Sequence, residues 1–192
     1  MKKLKYLAIA GALLMSLNGY SQGDISFANN SSTLIRNALT GAAVASGQIR
    51  VGLYYNPNLT AEANPDAPRD GWIQAGTFAN VGIPLAGTFS GGNKNVVNVD
   101  AASGNVQVQV RAWSAAFATY EAAYDAGLAG QSVLVGASNV MLIKPAVAPA
   151  PIPSILGSGF AGFSVSPVPE PSMIALSLLG GLGAMVLLRR RK

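Results

Sequence analysis

The sequence predicts an all-β domain: an antiparallel β-sandwich or jelly-roll-like arrangement with one short helix. It is flanked by an N-terminal signal peptide and a C-terminal single transmembrane helix. Three observations carry this. Apolar residues alternate at period two in the clearest segments. Glycine, asparagine and proline punctuate them, as in a chain of strands and turns. A single alanine-rich stretch has helical spacing instead.

Residues 1–21 read as a secretory signal peptide. Lys2, Lys3 and Lys5 supply the positive start, and Tyr6 to Leu17 the apolar run. Asn18 and Gly19 break the run, and Gly19-Tyr20-Ser21 suits a cut after Ser21. The run is shorter than the ~20 residues that a spanning helix needs.

The exported domain is placed at 22–144, a length sufficient for a real core. "DISFAN" is the first short strand candidate. In "QIRVGLYY", Ile49, Val51, Leu53 and Tyr55 share one face, and Arg50, Gly52 and Tyr54 the other. "GWIQAGTF" and "NVVNVD" are shorter candidates. "NVQVQVRAW" is the clearest half-buried strand, with Val106, Val108, Val110 and Ala112 inward. Gln107, Gln109, Arg111 and Trp113 then point outward. "AAFATYEAAYDAGLAG" predicts a helix of about three turns, with Phe117, Tyr120, Tyr124 and Leu128 on one face. Gly127 or Gly130 can end it. "QSVLVGA" is a further strand candidate.

Residues 145–168 form a proline-rich linker with a possible last strand. Seven of the eleven prolines lie in 145–171. A semi-rigid spacer is one reading. A strand over 159–165, with Phe163 and Val165 on one side, is the other.

Charge and composition exclude several functions. The net charge of +5 comes from the ends: residues 6–188 hold six cations against eight anions. No basic patch remains for nucleic acid. The absence of cysteine and histidine removes disulfides, thiol nucleophiles, most zinc sites and the commonest general base. Asp24, Glu62, Asp66, Asp70, Asp100, Glu121 and Asp125 are the acids of the body. Any seven acids contain some pair, so a glycosidase pair is not indicated. Glu121 and Asp125, one helical turn apart, fit a solvated face. Asp66 and Asp70 fit a loop of turn formers better than a calcium site. The body is read as non-enzymatic, without cofactor. The aromatics Trp72, Trp113, Tyr54, Tyr55, Tyr120 and Tyr124 leave an alternative open. An outward Trp113 would make a glycan contact in a carbohydrate-binding module or weak glycan hydrolase.

The last 25 residues carry the most specific signal. Ser166, Val168 and Glu170 each precede proline and are pushed to extended shapes. Pro171 suits the first position of a helix. Ser172 to Leu188 is 17 residues without a charge, about 26 Å of helix at ~1.5 Å per residue. Arg189, Arg190, Arg191 and Lys192 should stay cytoplasmic as a stop signal. Both ends therefore predict a translocated body and a retained tail.

Pro169-Glu170-Pro171, the apolar helix and the basic tail, in that order, resemble the PEP-CTERM sorting signal. The resemblance covers about residues 166–192. It implies recognition by exosortase, an integral-membrane enzyme proposed to act as a cysteine transpeptidase. The secretion translocon and signal peptidase are the other implied partners. It further implies a transient inner-membrane anchor with a periplasmic body, then the cell surface or an exopolysaccharide biofilm matrix. "GDISFANNSS", "GQIRVGLYYN" and "VQVRAW…YEAAYDAG" are similar to segments of uncharacterised proteins of that kind, which transfers no functional residue.

Overall fold

The computed structural model describes residues 21–57, 71–99, 104–146 and 149–168. The chain is mostly β, with one short helix. Strands β3 (Ile49–Asn56) and β7 (Val106–Ser114) form its spine, antiparallel from Ile49↔Ser114 to Asn56↔Gln107. Their period-two alternation sends Ile49, Val51, Leu53, Tyr55, Val106, Val108, Val110 and Ala112 into one large apolar cluster.

Short strands extend the spine on both sides. β4 (Ile73–Gln74) and β5 (Ala79–Asn80) pair end to end along β3. β8 (Leu134–Ala137) and β9 (Met141–Ile143) do so along β7. Ser138 bridges the break between the latter two. Its amide donates to the Val110 carbonyl at 2.8 Å, and its hydroxyl accepts from the Val110 amide at 2.9 Å. Beyond β8 lie β10 (Phe163–Pro167) and β2 (Ile35–Asn37), completing the sheet order β2-β10-β8-β7-β3-β4. β10 and β2 run parallel, so the sheet is not wholly antiparallel as the sequence suggested.

A separate ribbon of β1 (Ser21–Ala28) and β6 (Ser90–Val99) covers the inner face of this sheet. Ile25, Phe27 and Val96 join the same apolar cluster as the spine. The predicted cut after Ser21 falls at the first residue of β1.

The outer face of the spine is covered as well. Helix α1 (Tyr120–Leu128) lies over it, packing against β7 and β8. The Thr119 side chain caps its start by accepting from the Ala122 amide at 3.2 Å. Gly130, at a φ of 85°, stops it. The buried face is Tyr120, Ala123 and Gly127. Leu128, expected on that face, is exposed instead. Tyr54, Trp72, Trp113, Val133, Val135 and Val168 complete this second cluster.

The proline-rich strip is part of the body. The Asp24 amide donates to the Ala146 carbonyl and the Ser26 amide to the Pro153 carbonyl, both at 2.8 Å. Ile155 and Phe160 are buried in the first cluster. These bonds and buried side chains tie described residues of the strip between β9 and β10 to the rest of the body.

Candidate functional site

The sequence points to two places, the aromatic face around Trp113 and the C-terminal tail.

Trp113 lies on the face opposite the valines, as the alternation requires, yet it is 0 % exposed. This corrects its assignment as an outward glycan contact. Alternation along a strand reports the face and is blind to a second layer on that face. Here α1 and the loop before it are that layer. The indole Nε1 donates to the Phe117 carbonyl at 3.1 Å, and the ring meets Tyr120 and Phe78 edge-on. Gly52 makes room: a Cβ there would stand 3.2 Å from the indole Cη2.

The other aromatics are also spoken for. The Arg111 guanidinium, 1 % exposed, lies 4.8 Å from the Tyr54 ring centre, 5.3 Å from Tyr120 and 5.5 Å from Trp72. Its Nε donates to Gln109 Oε1 at 2.9 Å, and its Nη1 stands 4.0 Å from Glu121 Oε1. Cations sit favourably over aromatic faces, more so when desolvated. The group that looked in sequence like a sugar platform is thus filled by the protein's own arginine. Tyr55 is buried on the inner face, and Tyr124, half-buried, stacks on Tyr120. The Glu121 side chain itself stays 34 % exposed.

Burial pushes the Tyr54 phenol above its ordinary pKa, and the nearby Glu121 carboxylate adds to this while Arg111 opposes it. The phenol donates to Gln74 Oε1 at 3.2 Å. Unfolded tyrosine ionises near pH ~10, whereas folded Tyr54 stays neutral there. A folded value above the unfolded one gives stability that is complete below pH ~10 and declines above it. The urea midpoint should therefore drop on going from about pH 9 to about pH 11, and drop less in Tyr54→Phe. Parallel curves would show that this phenol does not contribute.

A cavity of about 380 Å³ opens beside β5 and β6, lined by Thr77, Phe78, Asn80, Pro84, Ser90 and Lys94 among others. Lys94 is buried, its ammonium donates to the Thr77 carbonyl at 2.5 Å, and desolvation lowers its pKa. Among the acids, Asp24 accepts from the Asn95 amide group at 3.1 Å. Glu62, Asp66, Asp70 and Asp100 lie outside the described residues.

The root of the tail is well defined. β10 lies between two partners, with Phe163↔Ile35, Ser164↔Arg36 and Val165↔Asn37 on one side. Ser166↔Val135 and Pro167↔Leu134 follow on the other. The Ala38 amide adds a bond to the Val165 carbonyl at 2.8 Å. Val168, 6 % exposed, then sits against helix α1 in a notch floored by Gly127. A Cβ at residue 127 would come within 2.4 Å of Val168 Cγ2. The sorting residues Pro169, Glu170 and Pro171 lie outside the described residues, as do Arg189, Arg190, Arg191, Lys192 and the predicted spanning stretch. Among the described residues no helix is long and apolar enough to cross a membrane.

No curated protein and no solved structure matches the chain. A family model does match, over residues 167–192 only, and it is that of the PEP-CTERM protein-sorting motif. Such a motif indicates exosortase-dependent sorting of an exported protein, with exosortase as processing partner and a membrane-anchored state before processing. The match begins on the last residue of β10 and takes in the triplet, the apolar stretch and the basic end: this chain is a β-rich body carrying a PEP-CTERM protein-sorting motif.

Proposed function

We propose that the body is a non-enzymatic surface or extracellular-matrix component, delivered through its C-terminal motif and placed in or near exopolysaccharide. The observation that carries this is the fate of the aromatic side chains. Five of the six aromatics that suggested a carbohydrate site are buried, and Arg111 occupies the cage that three of them form. A sugar ring stacks on an exposed aromatic face, and Trp113 offers none. The composition points the same way, because a chain without cysteine or histidine lacks the commonest nucleophile and base pairs.

In this reading the triplet holds one carboxylate on a stiff extended segment, a shape that peptide-cutting enzymes engage readily. The apolar stretch holds the chain in the membrane, and the arginines keep its end in the cytoplasm. Glu170→Ala should leave the full-length chain in the membrane fraction, while the native chain is recovered shorter and outside it. Identical mass and location for both chains would mean that the tail is a plain anchor.

A further inference from the structure

We infer that the folded body gates its own processing, because Pro167 and Val168 belong both to the sorting motif and to the fold. The inference rests on the sorting reading above and adds a regulation to it. The family match starts at Pro167, yet Pro167 is paired with Leu134 and Val168 is buried under α1. An enzyme that takes an extended chain needs backbone groups and side chains that are free to enter its cleft. The first two motif residues are not free while β10 is complete.

The geometry makes the hold a close one. β10 is an interior strand, with hydrogen-bonded neighbours on both edges. Its path against β8 depends on Gly136, where a Cβ would stand 2.5 Å from the Ser164 carbonyl oxygen. Its last side chain depends on Gly127 in the same way. Two positions without side chains therefore receive the end of the domain. Only three residues separate Val168 from Ser172, where the uncharged stretch begins. Three residues offer an enzyme little chain to take up while Val168 stays docked. Slack in the chain cannot substitute for release of Val168. Capture by the enzyme and docking of the last strand compete for the same residues.

Two variants test this in the producing cells, with pulse-chase conversion of the full-length chain as the readout. Gly127→Ala evicts Val168 without touching the motif, and alanine favours the helix it sits in. Inserting Gly-Ser-Gly-Ser-Pro-Val after Val168 leaves β10 intact and restores Pro-Val before Pro169 outside the fold. Each should quicken conversion by about tenfold, equivalent to ~1.4 kcal/mol of opening relieved. Unchanged or slower conversion in both would overturn the gate. Quickening in only the insertion would place the hold in the strand rather than in the Val168 notch, and would overturn the part assigned to Gly127. Adding Glu170→Ala to each variant separates the two readings. Conversion that persists without Glu170 counts against the sorting reading. Conversion that requires Glu170 but ignores both variants counts against the gate alone.

Discussion

Trp113→Ala should lower the free energy of unfolding by about 3–5 kcal/mol, the range for removing a fully buried large aromatic. The indole is 0 % exposed, bonded through Nε1 to the Phe117 carbonyl and packed against Tyr120 and Phe78. Removing it leaves a cavity between the spine and α1, and exposes one side of the Arg111 cage to rearrangement. Domains of this size hold only ~5–15 kcal/mol in total, so the loss is a large share. Urea titration of the isolated body measures it as a shifted midpoint at constant slope. A loss below about 1 kcal/mol would mean that the indole faces solvent, and would reopen the glycan reading. Pull-down on extracted polysaccharide with the same variant gives a second readout. Loss of binding at a temperature where the variant remains folded would favour a sugar contact.

The second large effect is expected at Gly136. Alanine there places a Cβ 2.5 Å from the Ser164 carbonyl oxygen and 3.1 Å from the Val165 Cα. Both neighbours are backbone, so neither can swing aside as a side-chain tip would. β10 must shift, at about 2–3 kcal/mol by analogy with other overpacked cores. Hydrogen exchange should quicken at the β10 amides and at Ala38, while β3 and β7 keep their protection. Leu142→Ala, at an exposed position, is the control and should fall within ~0.5 kcal/mol of the native chain. Equal exchange in all three proteins would refute the fit assigned to Gly136.

The spine was readable from sequence because alternation is a direct print of a pleated strand. Ile49 to Tyr55 and Val106 to Ala112 fall on the inner face as that pattern requires. The same pattern was silent on what lies over Gln109, Arg111 and Trp113. One face of a strand reads as polar whether water or a buried arginine covers it. Gly52, a glycine inside a strong strand, was the available clue to a bulky neighbour. β2 and β9 were missed because three residues are too few to show a period. The proline-rich strip left a spacer and a last strand both open, and Phe163–Pro167 is a strand. Proline lacks a donor but keeps its acceptor, and the Pro153 carbonyl uses it to bind the Ser26 amide. The helix face was shifted because Gly127 carries no hydropathy signal, although it is the residue that receives Val168. The C-terminal motif was legible without structure, since it is a string of residues in order.

The parallel pairing of β2 with β10 has a consequence for how the chain matures. Export delivers a polypeptide from its amino end, so β2 reaches the far side early and its neighbour reaches it almost last. Ile35 and its fellows must wait, with an open flank, until the whole body has crossed. Such non-local closure is slow, and an unpaired edge attracts other chains meanwhile. A chain truncated before Phe163 would keep that flank of β2 open for good.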